Sequence, residues 1–128
     1  ISETVGAPAV WAFDFDPASG RLFNRRVFID AMALGLHPDG AAVDEDGGYW
    51  IADAGGWRVV RFSPDGRLAR TIPLPVEKPS KPVLVDGKIY VTSLNVGLTV
   101  SAERQPFAGR VLMETVSKTG SNCYRFSI

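Results

Sequence analysis

The chain has 128 residues, 45% of them hydrophobic, and its 14 Lys/Arg balance 14 Asp/Glu, so the formal net charge is zero. That length suits one domain with a core of its own, and the charge balance argues against nucleic acid or an anionic membrane surface as a partner. No apolar run approaches the roughly 20 residues that span a bilayer and Ile1-Ser2-Glu3 does not open a signal peptide, while the single Cys123, with no Asn-x-Ser/Thr sequon, points to a reducing, cytoplasmic setting and an inert thiol.

Ile1 to Pro8 is a Gly/Pro-containing lead-in without periodicity and reads as a loop. Val10 to Phe15 alternates, Pro17-Ala18-Ser19-Gly20 turns, and Arg21 to Ile29 resumes a strand pattern, which predicts a hairpin over 10–29. Ala31 to Leu36 is too short for more than a connection. His37 to Phe62 then packs three short β runs between Pro-Asp-Gly, Asp/Gly and Gly-Gly turns, the chemistry that tight hairpins require. With Arg67 to Pro73 it predicts a complete four-stranded unit over 38–73. The proline-punctuated Leu74 to Pro82 reads as an extended crossover with solvated lysines. Val83 to Val85 and Lys88 to Ser93 form a hairpin around Asp86-Gly87. After a polar loop from Asn95, Arg110–Val116 and Cys123–Ser127 predict two weaker strands, completing a last unit over 81–127.

Internal repetition decides the architecture. Phe15-Asp16-Pro17-Ala18-Ser19-Gly20-Arg21-Leu22 recurs as Phe62-Ser63-Pro64-Asp65-Gly66-Arg67-Leu68, and Asp46-Gly47-Gly48-Tyr49-Trp50 recurs as Asp86-Gly87-Lys88-Ile89-Tyr90. A period of about 40 to 50 residues with four short strands is that of a β-propeller blade. The prediction is a single all-β, partial propeller domain over 1–128 with about two and a half blades. Since propellers close with about four to eight blades, the chain reads as a fragment or trimmed chain. It is expected to be completed by a missing N-terminal propeller portion or by a homo-oligomer.

His37-Pro38-Asp39-Gly40-Ala41-Ala42-Val43-Asp44, then Tyr49-Trp50-Ile51-Ala52, then Gly55 to Gly66, resembles the signature of the regucalcin, senescence-marker-protein and gluconolactonase family. Trp11 to Asp16 with Asn24-Arg25-Arg26, Leu74-Pro75-Val76 with Lys81-Pro82, Ile89 to Ser93, and Gln105 to Gly109 resemble it in the same order. The resemblance implies a six-bladed propeller, a divalent cation (calcium or zinc) in the channel, and hydrolysis of sugar lactones. It also implies a metal held by a Glu, an Asn and the Asp of Pro-Asp-Gly. Asp39 matches the last, and the positions of the other two precede this chain.

Asp39 is therefore the candidate metal ligand and the candidate base that takes a proton from the attacking water. Pro64-Asp65-Gly66 repeats its tripeptide in an outer hairpin turn, so Asp65 is expected to be structural. His37 is a candidate substrate contact beside Asp39, or a plain surface residue. Asp53 and Ser93 end equivalent strands, where each faces substrate at the channel mouth or hydrogen-bonds the next loop. Asp44-Glu45-Asp46 lacks the Glu that would complete an EF-hand and is expected to be a solvated turn. Trp11, Trp50 and Trp57 are expected to pack between blades. Two functions follow as expectations: part of a metal-dependent sugar-lactone hydrolase, or a non-catalytic β-module that oligomerises through exposed blade faces.

Overall fold

A computed structural model of the chain describes residues 8–120, together with the backbone of one short strand at Ser2–Glu3. Ten strands are present among the described residues: β1 (Ser2–Glu3), β2 (Ala9–Asp16), β3 (Arg21–Ile29), β4 (Pro38–Val43), β5 (Tyr49–Asp53), β6 (Arg58–Phe62), β7 (Leu68–Pro73), β8 (Pro79–Val85), β9 (Lys88–Ser93) and β10 (Val111–Thr115). They form three antiparallel sheets, ordered β1-β2-β3, β4-β5-β6-β7 and β8-β9-β10. The fold is that of successive propeller blades, with β4 to β7 a complete one. The expected strand Cys123–Ser127 lies outside the described residues.

Equivalences between sheets follow from the repeats. The turn after Phe15 and the turn after Phe62 share a sequence, so β2 and β3 correspond to β6 and β7, the outer pair of a blade. β1 then corresponds to β5, and it packs against β4 as β5 packs against β8. The expected lead-in loop is corrected at this point: Ser2 pairs with Val10 and Glu3 with Ala9. A two-residue strand is too short to show any alternation. In the last sheet β8, β9 and β10 match β4, β5 and β6, so β4 and β8 are neighbouring innermost strands, each an edge of its sheet.

Period-two alternation places successive side chains on opposite faces of the middle blade. Ile51, Val60 and Phe62 pack on Val10 and Ile29 of the preceding sheet and on Ala31 and Leu36 of the β3–β4 connection. Trp50, Val59 and Ile72 pack on Leu84, Ile89, Val91 and Val116 of the following one. Trp50 is fully buried in this second layer, as expected of an inter-blade aromatic. Trp57 is not on a strand: it sits in the β5–β6 turn with φ +56°. Trp11 is half-buried on β2 under the Arg25 guanidinium, 3.7 Å from its ring centre.

The proline segment is also corrected. Pro79 opens β8 and Pro82 lies inside it, because an innermost strand is an edge, where a missing N–H costs no ladder bond. Its lysines are not merely solvated: Lys78 Nζ donates to the Gly97 carbonyl and Lys81 Nζ to the Ala41 carbonyl.

Two blade faces carry exposed apolar side chains. On one end sheet these are Phe15, Leu22 and Val27, and on the other Val83, Tyr90, Val111 and Met113.

Candidate functional site at the channel mouth

Asp39 lies on the first turn of β4. Pro38 pairs with Asp53 and Ala41 with Ile51, so β4 spends three steps where β5 spends two. The extra residue is a β-bulge at Asp39-Gly40, a device that re-aims a side chain at the rim of a sheet. β8 carries the same irregularity, between Pro79 and Lys81. Pro38 is buried and Asp39 exposed, so the bulge anchors its proline in the blade and presents the carboxylate outward. Glycine is needed next: a Cβ on Gly40 would lie 2.5 Å from the Ser80 carbonyl oxygen and 2.6 Å from Lys81 Cδ. The two innermost strands approach that closely beside the candidate carboxylate.

The structure brings His37, Asp39 and Asp53 into one corner. The His37 amide donates to Asp53 Oδ1 at 2.8 Å and the Ala54 amide to the His37 carbonyl at 2.9 Å. Asp53 is fully buried, and its Oδ2 accepts from Arg58 Nε at 2.7 Å. Its carboxylate fills the space above Gly56, where a Cβ would come within 2.0 Å of Oδ2. Both oxygens are therefore used inside the turn. His37 is exposed.

Ser93 occupies the same corner one blade on, paired with Pro79 as Asp53 is with Pro38. Its hydroxyl donates to the Arg110 carbonyl at 2.8 Å and accepts from the Arg110 amide at 3.1 Å, closing the β9–β10 loop. Asp65 stands apart in the β6–β7 turn, bonded by Ser63 and paired with Arg67 at 3.2 Å.

One buried carboxylate escaped the sequence reading. Glu77, 2% exposed, stands just before β8. Its side chain accepts from the Thr99 and Val100 amides at 2.9 and 3.0 Å, from the Thr99 hydroxyl at 3.0 Å and from Gln105 Nε2 at 3.3 Å. Those backbone N–H groups hold its carboxyl well below the usual range, at about 2. Its own amide donates to Gln105 Oε1 at 2.7 Å, and its carbonyl accepts from Gly55 at 2.9 Å. One residue thus ties the β5–β6 turn to the β9–β10 loop at the Asp39 end.

Asp44, at the other end of β4, corrects the expected solvated turn. It is 1% exposed and accepts from Arg61 Nε at 2.6 Å, Trp50 Nε1 at 2.8 Å and Gly48 N at 2.8 Å. Burial pushes its carboxyl up, but Arg61, Trp50 and Gly48 outweigh this and hold it at about 2. The signal available was the alternation itself: it puts Trp50 on an inner layer and Arg61 directly across from it in register.

For a metal, Asp39 offers one carboxylate. Among the described residues no group of three or more His, Cys, Asp or Glu side chains is placed to hold an ion. Calcium takes about six to eight oxygen ligands and structural zinc about four donors, so these residues alone do not form a complete site. Also among the described residues, no helix is long and apolar enough to cross a membrane.

A family model described as "SMP-30/Gluconolactonase/LRE-like region" matches residues 2–95. An L-arabinolactonase of Azospirillum brasilense is 38% identical over 120 residues, covering 92% of this chain and 40% of the relative. Regucalcin of Oryctolagus cuniculus is 36% identical over 115 residues, 85% of this chain and 38% of its own length. Among solved structures, a calcium-binding regucalcin from Agrobacterium tumefaciens superposes with TM-score 0.77 at 22% identity, covering 89% of this chain and 40% of the neighbour. A Xanthomonas campestris gluconolactonase gives TM-score 0.56 at 29% identity, covering 71% of this chain and 29% of its own. The chain spans about two-fifths of the curated relatives that it matches.

Proposed function

Because the chain belongs to the SMP-30/gluconolactonase/LRE-like family, we propose that it is a portion of a metal-dependent sugar-lactone hydrolase, active when its propeller is complete. The observation that carries this reading is the bulge at the start of β4, where Asp39 is exposed while Pro38 stays buried. Asp65, in the same tripeptide, is absorbed into a turn.

Asp39 supplies one ligand to a calcium or zinc ion, and the remaining donors come from outside the described residues. Asp39 also serves as the base: it accepts a proton from water as the water oxygen bonds to the lactone carbonyl carbon. The ring C–O bond then breaks and the departing ring oxygen takes up a proton, leaving a hydroxy acid. His37, exposed beside Asp39, contacts the sugar hydroxyls. Asp53 fixes the His37 backbone, and Glu77 holds the adjoining loop.

The test is hydrolysis of glucono- and arabinolactone by the completed protein, with metal content measured on the same sample. Asp39→Ala is expected to remove the metal and to lower turnover by at least the 10²–10⁴-fold typical of a lost base. Full activity in that variant overturns the reading.

The exposed apolar faces support a second reading, in which the chain is a non-catalytic module that assembles through those faces. Assembly without metal or hydrolysis would favour it.

A further inference from the structure

Between the free edges of β4 and β8 runs a groove of about 270 Å³, lined by Ala41, Ala42, Val43, Pro82, Leu84 and Lys81 among others. Lys81 is the charged member of this lining. Its stem passes so close to Gly40 that a Cβ there would overlap Cδ, and its ammonium reaches the Ala41 carbonyl of the neighbouring blade. The side chain is thus laid across β4 two residues beyond Asp39, along the channel wall. A carbonyl uses one of the three donors of an ammonium. Among the described residues no carboxylate forms an ion pair with Lys81.

We propose that Lys81 is an anion-recognition residue of this groove, and that it takes the carboxylate of a monosaccharide-sized polyhydroxy acid. Three observations carry this. The groove volume is just below the roughly 300–1,000 Å³ of sites for drug-sized ligands, which suits a single sugar acid. Its other lining side chains are uncharged and apolar, so Lys81 is the one charged side chain of the lining that an anion entering the groove meets. The lining begins at Ala41, two residues along β4 from Asp39, the candidate carboxylate of the lactonase reading. The proposal rests on the lactonase reading for the identity of the acid: ring opening turns a neutral lactone into an anion, and Lys81 distinguishes the two.

The competing explanation is that Lys81 only guards an exposed strand edge, a common use of lysine. NMR titration of the ¹⁵N-labelled chain separates them, using sodium gluconate, sorbitol as the neutral polyol, and sodium chloride at matched ionic strength. Gluconate is expected to shift the amides of Ala41, Ala42, Val43 and Lys81 saturably, and sorbitol and chloride are not. Lys81→Met, which keeps the stem over Gly40, is expected to weaken gluconate binding at least tenfold, and Lys81→Arg to retain it. Equal responses to gluconate and sorbitol, shifts spread equally over Lys78 and Lys88, or unchanged binding in Lys81→Met would each overturn the proposal. The readout needs no turnover. Gluconate binding without hydrolysis leaves this site standing and defeats only the lactonase reading, and hydrolysis without a gluconate-specific shift does the reverse.

Discussion

Asp39 and Asp65 share the tripeptide Pro-Asp-Gly and part company through their neighbours. Asp65 is met by Ser63 and Arg67 within its own turn, whereas Asp39 stands on a bulge backed by a second blade. The backing makes Gly40 a sensitive position: the atom that an alanine methyl would strike is the Ser80 backbone carbonyl, which cannot swing away as a side chain would. Gly40→Ala is expected to destabilise the chain by about 1–3 kcal/mol through overpacking, read as a lowered urea midpoint.

The buried acids give a pH signature. Asp44 has a folded pKa of about 2 against a usual 3.8. A depressed folded pKa means that its stabilisation, roughly 2 kcal/mol, is present above pH about 4 and lost as pH falls toward about 2. Glu77, lowered from 4.5 to about 2, loses its contribution in the same direction and over much the same range. Urea midpoints measured from pH 6 down to 2 are expected to fall across this window, and Asp44→Asn to flatten the decline. An unchanged slope in that variant would locate the acid sensitivity elsewhere.

At the scale of elements, the middle blade was legible because one signal governs each of its strands. Tyr49-Trp50-Ile51 alternates between two layers, and Asp/Gly turns stop the runs on both sides. Trp50→Ala should therefore cost about 3–5 kcal/mol, since the indole is fully enclosed between two blades; calorimetry on the variant checks it. What the sequence could not show were pairings fixed by distant residues. The fate of Glu77 depends on amides 22 and 23 positions later, and nothing local in Pro-Val-Glu-Lys-Pro announces them. The first half of β8 was hidden for a different reason: its prolines argue against a strand everywhere except at an edge. Because Glu77 holds its loop through backbone N–H groups, Glu77→Gln is expected to accelerate hydrogen exchange at Thr99 and Val100 while leaving β5 and β6 amides protected. Uniform acceleration would mean global destabilisation instead.

For the whole molecule, the question is what covers the two outer faces. Phe15, Leu22 and Val27 on one end sheet and Val83, Tyr90, Val111 and Met113 on the other are all more than a third exposed, a quantity of apolar surface that isolated chains rarely leave in water. Light scattering coupled to size exclusion is expected to show a particle heavier than the 13.8 kDa chain, with mass rising with concentration. A strictly monomeric chain at all concentrations would show that these faces tolerate solvent. The candidate metal site was only partly legible at this scale, because a channel site would draw its donors from several blades and the sequence points to Asp39 alone as a candidate.

The prolines of the innermost strands also bear on how such a chain survives synthesis. An unfinished fan presents a free strand to every other unfinished fan nearby, and strand-to-strand zipping is the usual route to insoluble fibrils. Pro38, Pro79 and Pro82 interrupt the donor pattern of β4 and β8, so an incoming backbone finds gaps where it needs partners. Zipping of one backbone onto another is thereby disfavoured along both of these edges.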